Sequence, residues 1–364
     1  MIKEIEILII GAGPAGLSAA LSASSLGAKV LLCERDELPG GQLVKQTHKF
    51  FGSEKQHAGT RGFHIGKMLL DSANSDPNIE IWTDTTVLGI YPDGVITCEH
   101  DGRHCKIKPQ RTIIATGAAE KFLTFPGNDL PGIYGAGAVQ TLMNVGGIKP
   151  AERVLMVGAG NIGLIVSYQL KQADVEVAAV IEATPRIGGY LVHASKIRRA
   201  GIPIKTCYTI LEAYGTDKLE GAKIAKIDAN WQPIAGTEED VKCDVICLAV
   251  GLTPLSELCW QAGCKMAFVR ELSGHVPYVD SNLETSVPGL YCAGDVGGIE
   301  EASAAMVEGR LAGFSAAGSL GYGEGTAAAK QEEARAELTA LRSGPMGEKI
   351  RLGQQKVAEM GSVK

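Results

Sequence analysis

The sequence predicts an α/β protein built from two doubly wound units, one nested inside the other, with a helical tail at the C-terminus. Three observations lead there. The chain opens with a strand, a glycine turn, a helix and a second strand; the same unit recurs near its middle; and a late segment suits completion of the first unit only after the second has closed.

The first unit reads EIEILIIGAGPAGLSAALSASSLGAKVLLCERD. An apolar run over 5–10 leads into Gly11-x-Gly13-x-x-Gly16, then an alanine-rich helical pattern to about residue 26, then a second apolar run over 29–33 that ends at Glu34. Gly11 permits the tight turn, Gly13 lets backbone approach a diphosphate, and Gly16 lets the helix pack closely on the strand. Pro14 and Ala15 fill the positions between, and the helix N-terminus offers free N–H groups and the positive end of its dipole to a phosphate. Glu34, 18 residues beyond Gly16 and followed by Arg35, stands where a carboxylate accepts from ribose hydroxyls.

The second copy is ERVLMVGAGNIGLIVSYQLKQADVEVAAVIEATPR. A strand over 154–157 meets the turn Gly158, Gly160 and Gly163, with Asn161 and Ile162 inside it; a helix over 164–172 and a strand over 175–181 follow. Glu182 closes that strand 19 residues beyond Gly163. A carboxylate there repels a 2′-phosphate, so NAD is expected over NADP, a preference that Arg186 softens. Two further strand ends, QRTIIATGAAE and CDVICLAVGLTP, break at Thr116-Gly117 and Val250-Gly251, as buried strands do when they turn beneath a bound dinucleotide. In ETSVPGLYCAGDVGGIEEASAAMVEGRLAG a short strand over 290–293 runs into Gly294-Asp295, and a helix follows from about Glu300 or Glu301. An acid fixed between a strand end and a helix start suits sugar-like hydroxyls.

A tail over 324–364 follows, rich in Ala, Glu, Lys, Arg and Leu, with a helix over 327–341, a break at Gly344-Pro345 and a second short helix. A partner-docking arm is the expected use of this tail, with a helix packed on its own chain or a frayed end as alternatives.

Over 364 residues the net charge is -6 and the pI near 5.7, which supplies no basic field for nucleic acid or anionic lipid. No apolar run approaches the roughly 18 residues of a membrane span. The first strand enters its glycine turn without a cleavable signal pattern, so a cytoplasmic location is expected. None of the nine cysteines forms a C-x-x-C pair, and most read as buried thiols acting as small hydrophobes. Nor are they grouped as an iron–sulfur cluster requires. His100 and His104 read as hairpin decoration, and no metal site is expected.

With these motifs, the sequence resembles the flavoproteins of the pyridine nucleotide-disulfide reductase superfamily in their short, thioredoxin-reductase-like layout, over about residues 1–322. The resemblance implies two Rossmann-like domains of three ββα layers, the NAD domain, over about 123–252, inserted into an FAD domain made of 1–122 and 253–323. It implies that Gly11, Gly13, Gly16 and Glu34 hold the ADP half of FAD, and that Gly41 and Gln42 line the flavin. Asp295 then bonds the ribityl chain, and the helix after Gly298, with Ala302 in its first turn, points at the isoalloxazine ring. The chemistry departs from the disulfide reductases, because GGQLVKQTHKFFG carries no C-x-x-x-x-C and the inserted domain no C-x-x-C.

The segments LPGIYGAGAVQTLMNVGGIKPAERVLMVGAGNIGL and CAGDVGGIEEASAAMVEGRLAG are instead similar to the FAD/NAD subunits of the multisubunit dehydrogenases of amines and imino acids. These include the alpha chain of sarcosine oxidase, opine oxidase, hydrogen cyanide synthase and dye-linked proline dehydrogenase. The similarity implies a hetero-oligomeric dehydrogenase in which this chain passes electrons beside other flavoprotein and iron–sulfur subunits while a small molecule is oxidised. The alternatives are a stand-alone NADH-dependent reductase and a nucleotide-binding subunit with a role in assembly only. In the loop after the first cradle, Lys45, His48, Lys49, Lys55, His57, Arg61 and His64 would favour an anionic reduced flavin, with His48 and His57 as proton carriers. The competing reading is a solvated loop anchored by Phe50 and Phe51.

Overall fold

The computed structural model describes residues 2–50 and 53–362 and divides into two compact units, one made of the chain up to Ala119 and from Thr253 onward, the other of Glu120–Leu252. In the first unit, β1 (Ile2–Ile10) leads through the glycine turn into α1 (Pro14–Ser24) and β2 (Val30–Cys33). After a loop come α2 (Gly62–Asn74), β3 (Ile79–Trp82), and the meander β4 (Thr85–Ile90), β5 (Ile96–His100) and β6 (Arg103–Ile114). Strands β3, β2, β1 and β6 are parallel neighbours in that order. The first half of β6 pairs antiparallel with β5 and exposes its polar residues, whereas its last three residues are buried in the parallel sheet.

The chain leaves through β7 (Ala118–Glu120) and builds the second unit from β8 (Ile133–Gly135), α3 (Ala136–Asn144), β9 (Arg153–Val157), α4 (Asn161–Gln172), β10 (Glu176–Glu182), α5 (Leu191–Arg199) and β11 (Ile204–Thr206). The antiparallel strands β12 (Tyr208–Tyr214), β13 (Gly221–Lys226) and β14 (Glu239–Lys242) follow, then β15 (Val245–Leu248). The parallel order is β11-β10-β9-β15-β8.

The return through β16 (Leu252–Pro254) gives α6 (Glu257–Gln261), the hairpin β17 (Met266–Val269) and β18 (Gly274–Pro277), β19 (Leu290–Cys292) and α7 (Ala302–Ser319). Strand β19 pairs parallel with β6, so the first sheet has the order of the second. The fifth parallel strand of the first unit comes last in its sequence; that of the second unit, β8, comes first.

The period of two in each central strand sorts side chains into two cores. In the first unit Ile7 and Ile9 face the helices, with Val30, Leu32 and Ile113, while Leu8 and Ile10 face the meander and α6. In the second, Val154 and Met156 face α3, α4 and α5, while Leu155 and Val157 face β12 and β13. Each unit thus has three layers, helices, parallel sheet and antiparallel strands. Helix α1 is buried nearly all round because α7 covers it, and the two meet backbone to backbone. A Cβ at Gly309 would run into the carbonyl of Ala15, and one at Gly313 into that of Ala19.

Beyond α7 the tail forms α8 (Ala327–Leu341) and α9 (Glu348–Ser362), the latter longer than the short helix expected. Ala334 and Leu338 of α8 pack on Ala304, Val307 and Leu311 of α7; Val357 of α9 packs on Val269, Leu272 and Val276. No helix among the described residues is long and apolar enough to cross a membrane.

Candidate functional site

The glycine turn of the first unit is shaped by contacts that leave no room for side chains. Gly11 holds φ +103, where a Cβ would strike the Ala115 carbonyl, and a Cβ on Gly16 would strike the Gly11 carbonyl. Gly13 faces open space, with Gly41 Cα 3.9 Å from the position its Cβ would take. Helix α1 begins there with Pro14 in its first turn, no capping side chain and no acid, which leaves N–H groups and dipole for an anion. Buried Glu34 accepts from Ala12 N at 2.8 Å through Oε2 and from Asp36 N at 3.1 Å through Oε1. Its carboxylate is thereby fixed beside the turn with lone pairs to spare. Ala15 is buried against the Gly294 turn, and Arg35 is exposed, 3.8 Å from Asp36.

A second glycine pair completes the cradle. Gly40 N donates to Ala12 O at 2.8 Å, and Gly41 adopts φ +52 so close to the turn that a Cβ would lie 2.9 Å from Gly13 Cα. Gln42 is exposed on the 3-10 turn Gly41–Lys45. Gln46 Oε1, buried just beyond, has no hydrogen-bond partner among the described residues, an acceptor left for a ligand or water donor. Gly117 at φ +74 has open space around it, and Thr116 Oγ1 donates to Leu255 O at 2.7 Å.

The second unit repeats this arrangement. Gly158 takes φ +108 against the Ala249 carbonyl, Gly163 packs on the Gly158 carbonyl, and a Cβ at Gly160 would meet nothing within 4 Å. Helix α4 starts with Asn161 and the partly exposed Ile162, again without capping side chain or first-turn acid. Glu182 accepts from Ala159 N at 2.9 Å, and through its other oxygen from Thr184 N and Oγ1, both at 2.9 Å. Gly189 N donates to Ala159 O at 2.9 Å, matching Gly40, and Asn161 Oδ1 accepts from Tyr190 N at 2.8 Å. Sequence reading missed the pair Gly188-Gly189. The signal was available, since both halves place Gly-Gly six residues after the strand-ending acid. Gly251 at φ +113 accepts through its carbonyl from Lys121 N at 2.9 Å.

Gly294 and Asp295 follow β19 directly. Glu308 Oε2 accepts from Gly294 N at 2.8 Å, and Asp295 Oδ1 accepts from Glu300 N at 3.3 Å. Burial, with Glu308 and Glu301 nearby, pushes Asp295 up to about 7 against the opposing hydrogen bond from Glu300 N. Glu300 also rises to about 7, through burial and Glu308, despite its ion pair with Arg342. Helix α7 starts at Ala302, and no acid lies in its first turn. Glu300 therefore serves a tail arginine more than the helix dipole.

The basic loop splits between two surroundings. His48 is half-buried ahead of α2, near Phe50, which packs with Leu43, Ile65 and Met306. His57 lies at φ +62 and lines a cavity of about 80 Å³ with Ser18, Gln56, Leu69, Met306 and Arg310. Phe51 lies outside the described residues. All nine cysteines are free thiols, and burial pushes Cys98 up to about 11 and Cys243 to about 12. Among the described residues, no three His, Cys, Asp or Glu side chains are grouped to hold a metal ion.

Known proteins share both the sequence and this architecture. The chain is 28% identical over 351 residues to an opine oxidase subunit from Rhizobium meliloti, an alignment covering 89% of this chain and 64% of the relative. It is 28% identical over 319 residues to the alpha subunit of sarcosine oxidase from Rhizobium meliloti (strain 1021), covering 84% of this chain and 29% of that one. The chain thus spans less than two thirds of the length of either. The crystal structure of T. acidophilum thioredoxin reductase superposes with a TM-score of 0.72 at 24% identity, over 87% of this chain and 99% of that one, and shares the fold. Residues 5–309 match the pyridine nucleotide-disulphide oxidoreductases, and the chain belongs to that family of oxidoreductases.

Proposed function

We propose that the chain is an FAD-dependent, NAD(H)-linked electron-transfer subunit of a multisubunit dehydrogenase or oxidase acting on amines, imino acids or related small molecules, without a redox disulfide of its own. One observation carries the reading: two cradles of matching construction in one chain. Each has a glycine turn, an uncapped helix start, an acid held by the turn's own amide, and a following Gly-Gly pair. The first cradle has in addition the Gly294-Asp295 turn, with an acid for a polyol chain, and is assigned FAD; the second is assigned NAD. When bound, nicotinamide and flavin supply the hydride chemistry. The residues of this chain bind and orient: Glu34 and Glu182 at ribose hydroxyls, the starts of α1 and α4 at the diphosphates, Asp295 at the ribityl hydroxyls. His48 and His57 remain proposed proton carriers.

The buried, high-pKa thiols support routing electrons to another protein or to NAD rather than through a local dithiol, since only a thiolate exchanges readily. The multisubunit setting is supported by the names of the relatives, which are subunits of opine oxidase and sarcosine oxidase. Purified protein is expected to be yellow and to bleach with NADH under anaerobic conditions; colourless protein that takes up no flavin overturns the assignment. Glu182→Ala is expected to weaken NADH about tenfold or more, the worth of hydrogen bonds to a charged group, and NADPH less. Equal effects in a binding titration would refute the NAD assignment.

A further inference from the structure

The tail reaches the Gly294 turn by a connected set of side chains. Arg342 caps the C-terminal end of α8 and is held between Glu300, at 2.6 Å, and Glu308. Its side chain is only 12% exposed, and those of Glu300 and Glu308 are as closed. With its amide carbonyl turned toward the guanidinium, Gln354 of α9 accepts from Arg342 at 2.7 and 3.0 Å. Arg351 donates to the carbonyl of Arg342 and to that of Gly344, fixing the bend between the two tail helices. One turn earlier in α8, Glu337 pairs with Arg310 of α7 at 2.9 Å and accepts from Gln56. From the other side, a Cβ on Gly298 would lie 2.9 Å from Leu272, which packs against Val357 of α9.

We propose that Arg342 is a positioning residue for the first unit's flavin turn: the tail places its guanidinium between Glu300 and Glu308, Glu308 holds the amide of Gly294, and so tail docking and flavin binding at Gly294-Asp295 are coupled. This rests on the assignment of FAD to the first unit. Four acids, Asp295, Glu300, Glu301 and Glu308, converge on the start of α7, and Arg342 is the cation that pairs with two of them. Burial works to lower the pKa of Arg342, but Glu308 and Glu300 outweigh it, so the cation persists. Without it, Glu308 would face Glu300 uncompensated and the Gly294 amide would lose its fixed acceptor. Coupling is reciprocal: whatever lifts the tail weakens flavin binding by the same factor that flavin strengthens tail docking.

The test uses the full chain stripped of flavin, with FAD affinity read from quenching of flavin fluorescence and NADH binding at the second unit as the control for folding. Arg342→Gln is expected to weaken FAD at least tenfold at about pH 8.5, where Asp295 and Glu300 are ionised, and by a clearly smaller factor at about pH 6, where protons replace the missing cation. Arg342→Lys, which keeps the charge but not the fork, is expected to fall between. The double variant Glu308→Gln/Arg342→Gln removes one acid with the cation and should recover much of the loss; it carries the test if Arg342→Gln alone fails to hold NADH. FAD binding within twofold of wild type at both pH values, a loss independent of pH, or a double variant without recovery overturns the proposal. A wild-type chain that binds no FAD overturns the flavin assignment instead.

Discussion

Single positions in the two cradles are set by what a Cβ would hit. At Gly41 both restrictions act, a left-handed φ and the closeness of Gly13 Cα. Gly41→Ala is expected to open that contact, keep the fold, and lower the flavin retained per chain after gel filtration severalfold. The acids at the start of α7 act through their protons. Asp295 and Glu300 both have folded values near 7, above those of an unfolded chain, so the fold binds more protons between about pH 4 and pH 7. Their contribution to stability is full below the unfolded values and is lost as the pH rises toward 7. The flavin-free protein is expected to melt lower at pH 8 than at pH 5, and Asp295→Asn to flatten that difference; an unchanged slope would show that Asp295 ionises as in water. Glu34 and Glu182 were legible in the sequence because strand, turn and helix fix the distance from glycine to acid. Arg342 and Glu308 were not, since 34 residues separate them and only the packing of α8 on α7 brings them together.

Among the elements, α1 and α7 show why alanine and glycine dominate the first unit's helices. Their axes approach until Gly309 and Gly313 touch the carbonyls of Ala15 and Ala19, a separation that larger residues would not permit. Gly309→Ala is expected to cost about 1–3 kcal/mol by overpacking, seen as a lower melting temperature of the first unit. Helix α8 was legible in place and length, because an Ala-, Glu- and Lys-rich run bounded by glycines has one good solution. Its docking was not legible. The stripe of Ala334 and Leu338 is too narrow to name its partner, and the alanine-rich face of α7 gives no periodic signal of its own. The antiparallel strands over the second sheet were likewise unreadable, since their short runs mix Lys, Glu and Asp with the apolar positions that face Ile246 and Leu248.

At the scale of the whole molecule, each unit has its own cores and its own cradle, so ligand binding at one is expected to survive damage to the other. Glu182→Ala should leave flavin content at the wild-type level, and Gly41→Ala should leave NADH titration unchanged; loss of both ligands from either variant would contradict that independence. The nested order also dictates a birth sequence. Residues 120–252 are contiguous and hold all five parallel strands of their sheet, so this part can close while the ribosome is still making the rest. The part that begins first waits for Leu290–Cys292 to fill its sheet and for Arg342 to neutralise its acids. The opening segment of the polypeptide is therefore the last to mature, and a nascent chain arrested before residue 290 would display a finished inner domain beside an outer one still lacking an edge.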